Sequence, residues 1–283
     1  MEIIRLTEDN IWDYEEYLTE DMADNLGRTY YSGLVVTDED EPVAGMVWEL
    51  LKSEDETTDE NHIEFFQCKD ESAAKLLFDE YDSITRSAGV KKSTFTLAAK
   101  PGKEEKDILK NAGFSVKLME GDIITAKLSD VAENEFLKKI TPDESVKPLR
   151  TATQRGFSLA MRRLTEAGHK GTCQDIAMLP RIFFENDVSC YAEDDGVISG
   201  LFLCHRRPSG MVEVMMMAAM GKNQVKKLPA MIKQAIQSGV ELYDPDTKII
   251  INRHNYASLA LGEKLFPTGF GMPVYVGERT ENE

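Results

Sequence analysis

The hydrophobic and polar positions along the chain follow one order of elements twice. In the first half, a short strand at 3–6 precedes a helical stretch at 11–26, where apolar residues recur at spacings of three and four. Three strands follow, then a helix at 72–87, a strand, a short helix and two closing strands. The second half repeats this order from residue 146 onward, and in each half an acidic turn, at 38–41 and at 193–196, joins two strands, as in an antiparallel hairpin. Each copy spans about 140 residues, which is too long for a solenoid unit, so the pattern predicts two domains.

The doubled pattern predicts an α+β fold of two tandem domains, each a mixed, mainly antiparallel sheet flanked by helices. In the second copy, helices are expected at 153–167 and 173–184. A polar stretch that contains Pro142 and lacks a clear period occupies 131–146. We therefore expect domains at 1–130 and 147–283, joined by a linker at 131–146.

The negative charge of the chain is concentrated in its first half. The net charge is -17, and residues 1–130 carry 14 Lys+Arg against 31 Asp+Glu, whereas residues 131–283 carry 19 of each. Nucleic acids and anionic lipids are bound mainly by Lys and Arg. Because no apolar run approaches the roughly 18 residues of a membrane span either, we expect neither a nucleic acid nor a membrane as a partner.

The cysteines indicate the compartment. Cys68, Cys173, Cys190 and Cys204 lie far apart and form no Cys-x-x-Cys pair, which argues against a structural metal site or a disulfide framework. The N-terminus has no basic region followed by an apolar stretch, so no signal peptide is expected. The sequence predicts a cytoplasmic protein without a metal, and it leaves the oligomeric state open.

Two segments carry a resemblance to a known family. Asn255-Tyr-Ala-Ser-Leu-Ala-Leu-Gly-Glu-Lys-Leu265-Phe follows a predicted strand, and Leu109-Lys-Asn-Ala-Gly-Phe114 stands at the same point of the first copy. The longer segment resembles the Asn-x-x-Ala-x-x-Leu-Tyr-Glu-Lys-Leu-Gly-Phe motif of the GNAT (GCN5-related N-acetyltransferase) superfamily. The second copy therefore looks like a GNAT domain, and the first looks like a degenerate one.

The resemblance implies that the second copy binds acetyl-CoA as a co-substrate. In the family, the turn after the fourth strand and the next helix N-terminus cradle the pyrophosphate. Here that turn begins at Met220 and Gly221, and its lysines are either phosphate ligands or ordinary solvated side chains. The expected acetyl-CoA contacts are Met217, Ala218, Gly221, Lys222, Asn223, Val225, Lys226 and Asn255. Lys227 is a further source of positive charge. Asn255 either contacts the pantetheine arm or caps a helix.

The first copy departs from the family at the same turn. Asp70 and Glu71 would place two carboxylates against a pyrophosphate, which is electrostatically unfavourable. We therefore expect the first domain to be non-catalytic and not to bind CoA.

Three residues of the second copy are candidates for acid–base catalysis. Glu213 begins an apolar strand and resembles the glutamate base of some family members, although a strand-end carboxylate can equally face solvent. The family's acid tyrosine falls on Gly262 in the second copy and on Leu109 in the first, neither of which has a proton to donate. Tyr256 and Tyr275 are substitutes nearby in the sequence, or else packing residues.

These patterns predict an acetyl-CoA-dependent N-acyltransferase that acts on an amine of a small molecule or peptide, with the ligand in the C-terminal domain. The alternative is a non-catalytic GNAT-like binding or sensor protein that has lost transferase activity. The sequence has no Gly-x-Ser-x-Gly elbow and no Walker turn, so hydrolase and NTPase functions have no motif to support them.

Overall fold

The structure is a computed structural model that describes residues 1–18, 20–26, 31–52, 59–68, 71–99, 105–169, 176–221, 224–253, 256–266 and 271–281. The chain divides into two compact units. Unit 1 comprises Met1–Glu120, Arg207–Gly210 and Met272–Glu283, and unit 2 comprises Gly121–Arg206 and Met211–Gly271.

The elements follow the chain in the predicted double order. Those of the first half are β1 (Glu2–Arg5), α1 (Glu15–Leu18), α2 (Glu20–Asn25), β2 (Tyr31–Asp38), β3 (Glu41–Lys52), β4 (Asp59–Cys68), α3 (Glu71–Ser87), β5 (Lys92–Ala98), α4 (Glu105–Asn111) and β6 (Ser115–Leu118). Those that follow are β7 (Asp122–Lys127), α5 (Leu128–Ala132), α6 (Glu135–Lys138), β8 (Val146–Pro148), α7 (Gln154–Glu166), β9 (Cys190–Asp194), β10 (Val197–Arg206), β11 (Val212–Ala219), α8 (Gln224–Leu242), β12 (Lys248–Arg253), α9 (Tyr256–Leu265), β13 (Gly271–Met272) and β14 (Val274–Thr280). Short 3₁₀ helices lie at Ile11–Tyr14, Leu149–Thr151, Ile176–Met178 and Arg181–Phe183.

The unit 1 sheet has the strand order β1-β2-β3-β4-β5-β14-β6, and of these neighbours only β4 and β5 are parallel. One face is covered by α3, whose Leu77 and Tyr81 are fully buried against the sheet. The other face is covered by the first helical segment, where Ile11 and Leu18 are buried. The predicted helical stretch at 11–26 is thus a 3₁₀ turn followed by α1 and α2.

The unit 2 sheet has the order β13-β7-β12-β11-β10-β9-β8, with β11 and β12 as its parallel pair. Its main core lies between the sheet and α8, which contributes Met231, Ile232 and Ala235. On the opposite face, α7 buries Phe157 and Met161. Each sheet is mixed and mainly antiparallel and is flanked by helices, so the predicted fold class is confirmed.

The structure divides the chain at other points than the predicted 1–130, 131–146 and 147–283. β7 belongs to the unit 2 sheet, and β14, the last strand of the chain, lies between β5 and β6 in unit 1. Arg279 of β14 donates to Asp82 at 2.6 Å and packs 4.8 Å over the ring of Phe114. The expected linker contains the helix α6. Strand patterning shows that a segment is a strand, but not which sheet it joins.

Both predicted hairpin turns are present, whereas the described part of one predicted helix is not α-helical. Glu39 and Asp40 have φ of 50° and 68°, and Asp195 and Gly196 have 48° and 79°, which is the two-residue turn that suits twisted antiparallel strands. Where a helix was expected at 173–184, the described residues 176–184 form two 3₁₀ turns on either side of Pro180, which lacks a backbone N–H. No described helix combines the length and the apolar character needed to span a bilayer.

Candidate functional site

The unit 2 sheet contains two parallel strands that separate along their length. β11 and β12 are paired only at Val212–Ile249 and Glu213–Ile250, although β11 continues to Ala219. Within the described residues, the backbone of 214–219 therefore has no strand partner on its β12 side. Unpaired backbone N–H and C=O groups require other hydrogen-bond partners. We call this opening the unit 2 wedge.

A one-residue bulge bends β11 at the opening of the wedge. Leu203 of β10 pairs with Met216 and Cys204 pairs with Val214, so Met215 is the extra residue. Bulges redirect the groups of a strand and are common beside active sites. The bulge marks the point from which β11 leaves β12.

Three of the expected ligand contacts lie along or just beyond the wedge. Met217 and Ala218 belong to the part of β11 that has separated from β12. Because Ala218 is only 2% exposed, it can contact a ligand only through its backbone, and in the described part of the chain the backbone of Met217 is unpaired on the same side of the strand. Gly221 follows β11 with a φ of +91°, a conformation that favours glycine.

The two lysines in the first turn of α8 differ in their exposure to solvent. Val225 is 79% exposed and Lys226 is also exposed. Lys227 is 2% exposed, and its Nζ contacts the carboxylate of Asp194 and lies 2.9 Å from Ser199 Oγ. The hydrogen bond from this ammonium lowers the pKa of the Asp194 carboxyl. Lys227 therefore anchors α8 to the β9–β10 hairpin, and the expectation that it adds charge at a phosphate is wrong.

Several expected site residues lie outside the described part of the chain. Lys222, Asn223 and Asn255 are among them, as is the side chain of Tyr256, whose backbone begins α9. Their roles stay predictions.

Tyr275 lies in unit 1 and not in the unit that contains Glu213. It belongs to β14, where it pairs with Leu97 of β5 and Leu118 of β6, and Lys106 Nζ lies 5.6 Å from its ring centre. The expectation that Tyr275 serves the second domain rested on its closeness in sequence, which the pairing of β14 with the unit 1 strands overrides.

Glu213 stands beside a histidine that the sequence does not single out as a partner. Glu213 and His205 are directly opposite each other on β11 and β10, and each is 6% exposed. The imidazole stacks on Phe183 with ring centres 4.0 Å apart, and Nδ1 lies 2.9 Å from the Phe183 carbonyl oxygen. Because a carbonyl can only accept, Nδ1 carries the hydrogen and Nε2 is the nitrogen that exchanges protons. The two side chains therefore lie next to each other on one face of the sheet, at the start of the wedge.

The position of the family's acid tyrosine has no room for a side chain. A Cβ on Gly262 would lie 2.7 Å from Arg253 Cδ. The Arg253 guanidinium donates to both carboxylate oxygens of Asp122, at 2.6 and 2.5 Å, and these hydrogen bonds raise its pKa. The Arg253–Asp122 pair thus fills the space beside Gly262, the position in α9 that corresponds to the family's acid tyrosine.

Asn252 provides a buried polar atom that has no hydrogen-bond partner among the described residues. Its Oδ1 is buried and accepts no hydrogen bond from the described residues. Side chains alternate along β12, so Asn252 is on the same face as Ile250 and hence as Glu213. A buried amide oxygen usually has a donor, and here a ligand can supply it.

The sequence did not identify His205 as the neighbour of Glu213, and it did not identify Arg253 as the residue beside Gly262. Both contacts are made between different secondary-structure elements. A signal existed for His205, since a short turn joins β10 and β11 and pairing outward from that turn sets residue 205 against residue 213. No comparable signal pointed to Arg253, whose partner Asp122 is 131 residues away.

Unit 1 has a corresponding wedge with different surroundings. β4 and β5 pair from Glu60–Lys92 to Ile63–Phe95 and then separate. Beyond that point, the Tyr17 hydroxyl donates to the carbonyl of Gln67 at 3.3 Å. One acceptor of the diverging strand is thus already bonded within unit 1.

Comparison with solved structures identifies proteins of similar fold. No protein-family profile matches the sequence, and a search of curated proteins gives no match. A tandem GNAT protein from the clavulanic acid biosynthesis pathway, solved without acetyl-CoA, is 10% identical and has a TM-score of 0.63, and the match covers 100% of this chain and 99% of that one.

Two further structures point to the same fold. A GCN5-related N-acetyltransferase from Anabaena variabilis is 12% identical with a TM-score of 0.51, over 99% of this chain and 73% of that one. A GCN5-related glucosamine N-acetyltransferase region of a fungal β-N-acetylglucosaminidase is 8% identical with a TM-score of 0.60, over 98% of this chain and 38% of that one. The chain has the tandem GNAT fold, which confirms the resemblance at the level of the fold.

Proposed function

We propose that unit 2 is an N-acyltransferase that takes an acyl group from acetyl-CoA, its co-substrate, and transfers it to an amine of a small molecule or peptide. The observation that carries this proposal is the separation of β11 from β12 after two residue pairs. An extended chain with amide groups can bond to the free side of a strand, as peptides do when they add to a sheet edge. The pantetheine arm of CoA is such a chain.

The described residues of the unit 2 wedge fit this ligand. The backbone of 214–219 is unpaired on the β12 side in the described part of the chain. Asn252 Oδ1 needs a donor, which a pantetheine amide N–H supplies. The helix α8 is 19 residues long and begins at Gln224, so its N-terminus attracts an anion such as a pyrophosphate. We assign the pyrophosphate to the turn that begins at Gly221, with Lys222, Asn223, Val225 and Lys226, and the pantetheine arm also to Asn255.

The protein's own groups supply the proton transfers and the oxyanion contacts. Acetyl-CoA brings an acyl group activated as a thioester. Glu213 accepts a proton from the ammonium form of the acceptor and leaves a neutral, nucleophilic amine. Backbone N–H groups near Met217 and Ala218 donate to the carbonyl oxygen as it gains negative charge. His205 exchanges protons with Glu213, and Tyr256 remains our candidate for protonating the leaving sulfur.

We place this reaction in the cytoplasm. The described cysteines Cys68, Cys190 and Cys204 are buried and form no disulfide with one another, which suits a reducing compartment. The acceptor is an amine, and neither nucleic acid nor membrane is a partner in this proposal.

One observation favours a second candidate, a binding or sensor protein without transferase activity. Arg253 fills the space that a tyrosine at Gly262 would need, so the acid of the family mechanism cannot be restored there without moving the arginine. The two candidates share the binding of acetyl-CoA and differ in whether thiol is released.

Calorimetric titration with acetyl-CoA and thiol release with a panel of amines test both candidates. We expect Glu213→Gln to lower turnover at least about 100-fold, the usual worth of a general base, while acetyl-CoA affinity is unchanged. Glu241→Gln, an exposed carboxylate on α8, is the matched control and should have no effect. Failure of the wild type to bind millimolar acetyl-CoA would refute both candidates, and binding without thiol release would favour the sensor.

A further inference from the structure

The helical segment that follows the first strand of each copy has opposite charge in the two units. In unit 1 this segment is the 3₁₀ turn Ile11–Tyr14 followed by α1, and in unit 2 it is α7. Each covers the face of its sheet that lies opposite the long helix of the unit, α3 or α8. The two segments therefore occupy equivalent places in the repeat, and their exposed sides can be compared directly.

In unit 1 the exposed side of this segment is acidic and has a tryptophan at its centre. Trp12 is 48% exposed and is adjacent to Asp13. Glu15 and Glu16 follow one helical turn later, so they lie beside the indole. The carboxylates of this segment are exposed, and none of them forms an ion pair with another described residue. We call Asp9, Trp12, Asp13, Glu15 and Glu16 the acidic face.

In unit 2 the exposed side of α7 is basic and has a leucine at its centre. Arg155, Leu159 and Arg162 are spaced by four and three residues, so they form one stripe along the helix. All three are exposed, Leu159 by 40%, and the neighbouring Arg163 is also exposed. Arg162 Nε lies 3.9 Å from Glu166 Oε1, a solvent-exposed contact of little strength. We call Arg155, Leu159, Arg162 and Arg163 the basic face.

The two faces complement each other in charge and in arrangement. In each face, one large apolar side chain is flanked by charges of a single sign. When Trp12 meets Leu159, the guanidinium groups of one face come within reach of the carboxylates of the other, which they can bind through two parallel hydrogen bonds. Arginine also stacks on the face of an indole ring. An apolar centre with a charged rim, built around tryptophan and arginine, is the usual composition of a protein–protein contact.

A second copy of the same chain is the partner that engages both faces. Unit 1 carries 15 Lys+Arg against 32 Asp+Glu, whereas unit 2 carries 18 of each. Two copies of unit 1 therefore repel each other, which disfavours a contact between two acidic faces. A contact between the acidic face of one copy and the basic face of another joins opposite charges. Every molecule supplies both halves of this contact, whereas a different partner of either charge would engage one face alone.

We propose that the acidic face of unit 1 binds the basic face of unit 2 in a second copy of the chain. The helix α7 is 13 residues long, so its exposed side measures roughly 20 Å by 10 Å. This is smaller than the contact of a stable complex, which buries about 1,200 Å² in total. The association is therefore weak and reversible, and it depends strongly on salt because its charges are exposed. This inference does not depend on the proposed function of unit 2.

Sedimentation equilibrium of the full chain tests for the association itself. In a buffer of about 50 mM NaCl, we expect the weight-average mass to rise above that of one chain at about 0.1–1 mM protein, the range of a weak contact. At about 500 mM NaCl the association constant should fall at least about tenfold, because the Debye length shortens to roughly 4 Å. A mass that stays that of one chain in the low-salt buffer would overturn the proposal.

Charge reversal shows whether these two faces make the contact. Asp13→Lys with Glu16→Lys makes the acidic face basic, and Arg155→Glu with Arg162→Glu makes the basic face acidic. Each double variant should lose at least about tenfold in association constant, because its two faces then carry the same sign. Mixing the two double variants should restore association, and so should combining all four substitutions in one chain, because opposite faces are then available again.

Glu71→Lys with Asp79→Lys is the matched control for the acidic face. It makes the same change in net charge at exposed positions of α3, on the other face of the unit 1 sheet, and association should be retained. Circular dichroism verifies the fold of each variant, and if the reversed acidic face does not fold, the milder Asp13→Asn with Glu16→Gln should still weaken association. An equal loss in the control, wild-type association of either face variant, or no restoration in the mixture would overturn the proposal.

Discussion

Replacing Gly262 by alanine tests whether the Arg253–Asp122 pair fixes the α9 side of the unit 2 wedge. A Cβ at this position would lie 2.7 Å from Arg253 Cδ and 3.5 Å from Ile124 Cγ2. Non-bonded carbon atoms prefer a separation of about 3.5–4.0 Å, so Arg253 has to move. Its guanidinium is restrained by two hydrogen bonds to Asp122, and the movement therefore strains or breaks that pair.

The size of the effect follows from two opposing contributions. Overpacking of a filled site costs about 1–3 kcal/mol, while alanine is better than glycine inside a helix by about 1 kcal/mol. Gly262→Ala should thus lower the free energy of unfolding by about 0–2 kcal/mol. Gly239→Ala in α8 is the matched control, because the nearest neighbour of the added Cβ is the end of the Leu128 side chain, Cδ1, at the ordinary contact distance of 3.4 Å. The helix contribution cancels between the two, so they should differ by about 1–3 kcal/mol.

Urea unfolding followed by far-UV circular dichroism measures this difference. Both tryptophans, Trp12 and Trp48, are in unit 1, so their fluorescence follows unit 1 alone and serves as an internal reference. In an Arg253→Ala background the clash is absent, and Gly262→Ala should then be neutral or stabilising. Equal effects of the two glycine replacements, or the same cost with and without Arg253, would refute the reasoning.

Three further predictions concern a buried tyrosine, the unpaired asparagine and the two turns. Burial raises the pKa of Tyr81 to about 12. An unfolded tyrosine ionises near about 10, so stability that is complete below pH 10 should be lost as the pH rises toward 12. Urea unfolding at pH 9 and 11.5 should show less of this loss in Tyr81→Phe. Asn252→Leu should change stability by less than about 1 kcal/mol yet weaken acetyl-CoA binding in calorimetry, and unchanged affinity would remove Asn252 from the site. Asn223→Glu should weaken acetyl-CoA binding and Glu71→Gln should not, measured at two salt concentrations because exposed charge effects fade with salt. A larger response at Glu71 would mean that the ligand binds unit 1, and that its assignment to unit 2 is wrong.

The local features of the fold were predictable from the sequence because short-range chemistry determines them. The two acidic hairpin turns were recognisable, and Glu39, Asp40 and Asp195 adopt the positive φ that such turns require. The helix α3 was predicted at 72–87 from its apolar spacing and is observed at Glu71–Ser87. The repetition of this order in the second half then led to the two-domain α+β fold.

The assignment of β7 and β14 to their sheets was not predictable in the same way. Neither strand's sequence favours one sheet over the other, and the choice depends on partners far away in sequence. Arg279 of β14 bonds to Asp82, 197 residues earlier, and Lys127 of β7 to Asp246, 119 residues later. A sequence pattern reports the period of a strand but not such distant partners.

The residues of the candidate site also differ in whether the local sequence was enough to predict them. Glu213 was predictable because a lone carboxylate in an apolar strand is unusual, and its burial agrees with that reasoning. His205 needed the register of the β10–β11 hairpin, and the Arg253–Asp122 pair needed the whole sheet. Residue type and local pattern thus indicate where chemistry is possible, and pairing between strands determines which groups act together.

The two wedges share a backbone design, and the units that contain them differ in net charge. Both have a one-residue bulge where the parallel strands separate. In unit 1, Tyr17 already bonds the Gln67 carbonyl, and the unit carries 17 more acidic than basic residues, so a pyrophosphate is repelled while an ammonium group is attracted. Unit 2 carries 18 of each sign, which removes that repulsion. The acyl-CoA proposed for unit 2 is thus assigned to the unit whose net charge does not repel its pyrophosphate.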